Sequence, residues 1–377
     1  LCMKMKMNVC CSRISDPYEE GKVNREKRTW VLAGICCMTV VFSGCSGSKK
    51  TAEIQPQSIK IGVSVYDQYD TFMSEIISQL QSYAREKEKD WGISITLNIQ
   101  NADQSQFTQN DQMENFIEEG CDLACINLVD RTDASIIIEK AKSNHVPVIF
   151  FNRELVEEDL ERWEELYYVG ADAFESGQLQ GEILVEQCEQ DFVSIDTNGD
   201  GILQYVMLEG EAGHNDSMVR SMSVINKITE SGYTVEKLAD EIANWNRDQA
   251  STKMTPFLNS YGSEIEVILA NNDDMALGAA DALKARGMDS QSDDWPVILG
   301  VDGTDVGLKA VEKGELLGTV LNDAKGQARG MLELAGSLIL KKDLSPEYTL
   351  QDGKYIRLPY QKVTAENVSE IQSRQSE

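Results

Sequence analysis

The sequence predicts an α/β protein built from parallel sheets with helices on both faces. Three observations carry that prediction: short apolar segments rich in Val and Ile, amphipathic stretches of helical period, and their regular alternation along the chain. At 377 residues one compact core is too large to expect, so two domains are the starting expectation.

Taken in order, residues 58–66 (SIKIGVSVY) are apolar and β-branched and read as a strand. Residues 71–87 place Phe72, Ile76, Leu80 and Tyr83 at helical spacing. Residues 93–100 read as a strand, 106–119 as a helix, 123–128 as a strand and 134–143 as a helix. Residues 146–151 (VPVIFF) form a fully apolar strand. A further strand is expected at 203–208. The rhythm then resumes with strand 265–270 before helix 275–285, strand 297–301 before helix 306–313, and strand 318–321. Such alternation makes βαβ units.

In open sheets of this kind ligands sit beyond the carboxyl ends of the strands, so the residues that follow each strand are the ones to inspect. Asp70, Asn127, Asn272, Asp302 and Asn322 all fall there. Any one of them alone reads as a helix cap. Five together, with no basic cluster, suit a neutral polyhydroxylated ligand.

Charge narrows the partners. The chain carries 35 Lys and Arg against 63 Asp and Glu, a formal net charge of −28. That excess argues against nucleic acid, which needs clustered Lys and Arg, and against an anionic substrate. His145 and His214 are the only histidines, which excludes a multi-His metal site and leaves little material for a catalytic triad.

One metal loop is visible. Asp196, Asn198 and Asp200 stand at positions 1, 3 and 5 of an EF-hand-like loop, with Gly201 at 6, the Ile202 carbonyl at 7 and Gln204 at 9. Position 12 is Met207, which supplies no carboxylate, and the loop runs into a strand. A structural calcium is expected, with its bidentate carboxylate coming from elsewhere in the chain.

The first 45 residues are set apart from the fold. Arg25, Lys27 and Arg28 precede residues 30–42, thirteen residues without a charge, too short to span a bilayer but suited to an export signal. The stretch ends in Phe42-Ser43-Gly44-Cys45, which resembles a bacterial lipobox. Cys45 is therefore the expected lipidation site, and the protein is expected outside the cytoplasm, anchored to the cell membrane. Residues 1–22 are read as preceding the true start near Val23, and 46–57 as a linker. Six of the nine cysteines lie in residues 1–45; Cys121, Cys125 and Cys188 are expected to be buried free thiols.

Residues 58–370 resemble the bacterial galactose/glucose-binding proteins, the receptors of sugar ABC transporters. The segments that carry the resemblance include IGVSVYDQYDTFM (61–73), INLVDR (126–131), VPVIFFN (146–152), DTNGDGILQYVMLEGEAGHND (196–216), EVILANNDDMALGA (266–279) and GTVLNDA (318–324). The resemblance implies two doubly wound lobes of the type I periplasmic binding protein kind, joined by a hinge that the chain crosses three times. It places 58–145 and 323–356 in the first lobe, and 146–322 and 357–377 in the second. It implies that Asp70 accepts from a sugar hydroxyl, that Phe72 and Trp245 cover the two pyranose faces, and that Asn127, His214, Asp216, Arg220, Asn272, Asp302 and Asn322 complete the polar contacts. It also assigns Glu266 as the missing calcium ligand. Asp67, Gln68 and Asn215 depart from the family pattern near the cleft.

The reading that follows is a monomeric, non-catalytic receptor for galactose or glucose that serves an ABC transporter permease. A sensor feeding a chemoreceptor or histidine kinase would use the same contacts. A glycosidase would need two flanking carboxylates among Asp70, Asp216 and Asp302, one with a raised pKa, and no motif marks such a pair.

Overall fold

The computed structural model describes residues 57–376. The extension, signal and lipidation residue Cys45 lie outside the described residues, as does the linker up to residue 56. The first lobe begins β1 (Ser58–Val65), α1 (Thr71–Trp91), β2 (Ser94–Asn101), α2 (Gln106–Glu118), β3 (Leu123–Ile126) and α3 (Ser135–Asn144). It continues through β4 (Val148–Phe151), α4 (Glu157–Leu160) and β5 (Leu166–Ala171). The second lobe holds α5 (Ala173–Asp191), β6 (Ile202–Glu209), α6 (Asn215–Glu230), β7 (Thr234–Ile242) and α7 (Arg247–Ser260). It then adds β8 (Val267–Ala270), α8 (Asp273–Ala285), β9 (Val297–Leu299), α9 (Asp305–Glu312) and β10 (Gly318–Leu321). The chain returns to the first lobe for α10 (Ala324–Leu340) and β11 (Tyr355–Leu358), and to the second for β12 (Gln361–Thr364) and α11 (Val368–Ser376).

The two sheets have the same winding. The first runs β11-β5-β4-β3-β1-β2, all parallel; the second runs β12-β10-β9-β8-β6-β7, parallel except for the β12–β10 pair. In each, the connections leave in opposite directions on either side of one strand pair, β1/β3 and β6/β8, which is where a crevice opens at the strand ends.

Burial explains why the strands read as unbroken apolar runs. Leu123, Cys125, Ile149 and Phe151 face a cluster with α1 and α10, while Ala124, Ile126, Val148 and Phe150 face α2 and α3. Alternate residues thus serve opposite layers, and both layers are apolar. The second sheet repeats this, with Leu203, Tyr205 and Met207 toward α5 and α6, and Val206 and Leu208 toward α7 and α8. Cys121, Cys125 and Cys188 are buried and unpaired, as expected. Among the described residues no helix is long and apolar enough to cross a membrane.

The lobe boundary differs from the expectation at 145/146. Strands β4 and β5 pair with β3 and with each other in the first sheet, so 146–171 belong to the first lobe. The physical reason is hydrogen-bond continuity: β4 is buried on both faces and takes its place beside β3. The three crossings fall between Ala171 and Ala173, between Leu321 and Ala324, and between Leu358 and Gln361. Strand β4 also starts at Val148, after Pro147, which has no N–H to give the ladder.

Phe150 has no solvent exposure. Phe150→Ala is expected to remove about 3–5 kcal/mol from the stability of the first lobe, read as an earlier urea transition by far-ultraviolet circular dichroism.

Candidate functional site

Strand ends of both lobes deliver side chains to one cavity. After β1, Asp70 caps α1: its Oδ1 accepts from the Met73 N–H at 2.8 Å, and its Oδ2 accepts from the Tyr66 hydroxyl at 2.7 Å. Phe72 follows in the first turn of α1 and is buried. Past β4 come Asn152, in a left-handed conformation (φ 58°), and Arg153. From the second lobe, His214 caps α6, Asp216 and Arg220 lie in its first two turns, Trp245 precedes α7, Asn272 caps α8 and Asp302 follows β9. All of these, with Tyr66 and Met73, line a small cavity of about 40 Å³ between the lobes.

Trp245 is held in an unusual way. Both Asn244 and Trp245 adopt positive φ, 50° and 60°. The indole lies so close to the backbone of Gly210 that a Cβ there would sit 2.1 Å from the ring, which only glycine allows. Asn272 Nδ2 donates to the Trp245 carbonyl at 3.1 Å, and the His214 ring meets the indole edge-on at 5.1 Å. Trp245 Nε1 is buried without a hydrogen-bond partner.

Asp302 is also strained, at φ 120°. Its N–H donates to the Val320 carbonyl at 2.8 Å and its carbonyl accepts from the Asn322 N–H at 2.9 Å, so the backbone is pinned from both sides. Arg220 donates from Nη1 to the Asn271 carbonyl (2.8 Å) and from Nη2 to the Tyr360 hydroxyl (3.1 Å), and stands 4.0 Å from the Asp302 carboxylate. Its Nε has no partner.

Burial dominates the electrostatics. It raises the pKa of Asp302 well above the ordinary carboxylate range, with Arg220 pulling the other way. Burial likewise raises Asp216, against Arg220 and Arg153, and Asp70, against the hydrogen bond from Tyr66. His214 is pushed well below its ordinary value by burial and by Arg153, Arg220 and Arg131. Its Nδ1 accepts from the Asp216 N–H at 3.1 Å, so the neutral ring presents Nε2–H as a donor. The cavity therefore offers carboxylate acceptors, unengaged N–H donors and aromatic faces at once.

Eight of the ten expected contact residues line this space. Asn127 and Asn322 do not. Asn127 is fully buried behind it, accepting from the Tyr66 N–H at 3.2 Å and donating to the Phe151 carbonyl at 3.2 Å. Asn322 accepts from Gln327 Nε2 at 2.7 Å. Asn127 thus pins the ends of β1 and β4, which carry lining residues, while Asn322 bonds into α10. Tyr66, Met73, Asn152 and Arg153 were not anticipated. Asn152 and Arg153 follow the apolar strand β4 and obey the same positional rule as Asp70, Asn272 and Asp302.

The metal loop folds around Asp196, whose Oδ1 accepts from the Gly199 and Asp200 N–H groups and whose Oδ2 accepts from Gly201 N–H (2.9, 3.1 and 2.9 Å). Gly201, at φ 81°, makes the turn. Gln204 Nε2 donates to Asp200 Oδ2 and Gln204 Oε1 accepts from Asn198 Nδ2, both at 3.0 Å. Glu266 reaches the same loop from the start of β8, accepting from Thr197 N–H at 2.7 Å and Gln204 N–H at 3.1 Å. Among the described residues no group of three or more His, Cys, Asp or Glu is arranged to hold a metal. A cation here would draw on the Asn198 and Gln204 amide oxygens and the Ile202 carbonyl besides the Asp196, Asp200 and Glu266 carboxylates, an all-oxygen set that fits a hard ion.

Across the cleft, Glu75 on α1 has its pKa raised to about 7, by burial first and then by Asp305, Asp273 and Asp323. A raised carboxylate costs the folded state stability above its folded pKa, and the cost is relieved as pH falls toward its unfolded value. Glu75→Gln is expected to raise stability by about 1–2 kcal/mol at pH 8, the gain fading between pH 7 and 4.5; thermal melts across that range measure it.

Residues 61–343 match the family described as periplasmic binding protein domain. The D-galactose/methyl-galactoside binding periplasmic protein MglB of Haemophilus influenzae is 35% identical over 92% of this chain and 99% of its own length. A putative rhizopine-binding protein of Rhizobium meliloti is 31% identical over 84% of this chain and 93% of its own. An ABC transporter solute-binding protein from Bacillus halodurans, solved with myo-inositol, superimposes with a TM-score of 0.68 at 29% identity, covering 85% of this chain and 99% of that one. The chain belongs to the periplasmic binding protein domain family, and its two parallel-sheet lobes have the type I architecture.

Proposed function

We propose that the protein is an extracytoplasmic receptor that binds a hexopyranose, galactose or glucose, between its lobes and delivers it to an ABC transporter, without catalysis. The observation that carries this reading is the composition of the interlobe cavity. Phe72 and Trp245 bring apolar faces from opposite lobes, and around them stand Asp70, Asp216 and Asp302 with the unengaged Nε groups of Arg220 and Trp245. A pyranose has C–H faces that suit aromatic rings and a rim of hydroxyls that both donate and accept. Contacts from both lobes mean that the ligand favours the closed arrangement, which is the form a permease would recognise. The galactose-binding relative, similar over nearly its whole length, supports the same choice of ligand.

Calcium in the Asp196–Gln204 loop, with Glu266 as the additional carboxylate, would tie that loop to the start of β8. Its role is structural, since the loop does not line the cavity. Lipidation of Cys45 would hold the receptor at the membrane near its transporter.

Calorimetric titration of the chain from residue 46 against galactose, glucose, myo-inositol, allose and xylose tests the ligand. One-to-one binding of galactose or glucose is expected to be tightest, weakened about 100-fold in Trp245→Ala. Tighter binding of myo-inositol would replace the hexose assignment. Chelation of calcium is expected to lower the melting temperature with sugar binding largely retained, and Glu266→Gln to give the same shift.

A further inference from the structure

Two side-chain contacts cross the cleft directly from one lobe to the other. Arg153, two residues past β4 in the first lobe, donates from Nη2 to Glu211 Oε1 at 2.8 Å, two residues past β6 in the second. Thr71 in α1 donates to Asp274 in α8 at 2.6 Å. We propose that the Arg153–Glu211 pair is a clasp that forms only when the lobes meet and that governs how fast bound ligand leaves.

The first lobe holds the arginine ready. Its guanidinium lies 3.5 Å over the Tyr66 ring and Nη1 donates to the Val129 carbonyl at 3.1 Å, both contacts within that lobe. With the lobes together its side chain is 4% exposed, against 29% for Glu211, so the arginine is the more deeply enclosed partner of the pair. Opening the cleft separates the pair and leaves the guanidinium with only its Tyr66 and Val129 contacts and no carboxylate, a cost that falls on opening.

Position gives the clasp its effect on ligand exit. Arg153 and His214 line the sugar cavity and also an outer pocket of about 430 Å³, whose remaining wall includes Asp130, Arg131 and Glu211. The pair therefore stands between the cavity and the outside. It is also wired to the site: Tyr66, beneath the guanidinium, donates to Asp70 Oδ2, the carboxylate expected to meet the ligand.

The test is stopped-flow sugar release, followed by tryptophan fluorescence, in the parent chain, Glu211→Gln and Glu211→Ala. Both variants are expected to release sugar about tenfold faster, between the effects of exposed and buried pairs. The association rate should stay within about twofold, as is usual among variants of one interface, with the order of sugar preference unchanged. An unchanged release rate overturns the proposal, and so does a changed order of preference, which would make Glu211 a ligand contact. The rate readout rests on the sugar-receptor reading; X-ray scattering of the ligand-free chain does not. There, the Glu211 variants are expected to have a larger radius of gyration than the parent, and an equal radius overturns the clasp even if no sugar binds.

Discussion

Two parallel sheets can share one solute only if their carboxyl ends face each other, and the three chain crossings impose that arrangement. Each crossing leaves one sheet at a strand end and enters the other lobe within a few residues: Ala171 to Ala173, Leu321 to Ala324, Leu358 to Gln361. A single linker would leave the lobes free to turn about it. Three adjacent ones restrict motion to opening and closing, so Asp70 and Phe72 of one lobe meet Trp245 and Asp302 of the other along a fixed path. The helix caps, the strained backbone at Asp302 and the close seat of Trp245 on Gly210 all act within that constraint.

The cavity gathers carboxylates that burial would rather protonate. Arg220 and Arg153 oppose that tendency without cancelling it, because both guanidinia are already committed to backbone carbonyls, Asn271 and Val129. Such carboxylates gain most from hydrogen-bond donors that arrive from outside, and hydroxyl groups are donors of that kind. The strongly acidic surface and the mixed charge of the cleft are therefore separate matters: the first sets solubility and distant repulsion, the second sets recognition.

Much of the fold was legible because both sheet faces are buried. Strands such as 123–128 and 146–151 stand out as apolar runs only when helices cover them on two sides. β7 (Thr234–Ile242) was not recognised because it is an edge strand with no fully buried residue, and its sequence carries acid and lysine along its length. β11 and β12 hold one buried residue each, so neither shows the apolar run that marks β3 and β4 at the same length. The lobe boundary was misplaced for a related reason: which sheet a buried strand joins is decided by its neighbours, and its own composition is the same in either. In the site, the residue types that cap helices and contact ligands were found together because one geometry serves both. Asn127 and Asn322 show the limit of that rule, since their amides bond inside the protein, Asn127 to the backbone of Tyr66 and Phe151 and Asn322 to Gln327 of α10. Arg153 escaped because its importance lies in what approaches it from the other lobe.

The three cysteines of the described chain carry a practical consequence. Burial raises Cys121 and Cys188 to about 11 and Cys125 to about 12, so none holds appreciable thiolate at neutral pH. Outside the cytoplasm that makes them inert to oxidants and to one another. It also leaves the surface of residues 57–376 without a reactive thiol. A single cysteine introduced at the rim of the cleft would then be the one point in that region that takes a thiol-reactive dye, turning the meeting of the lobes into an optical signal.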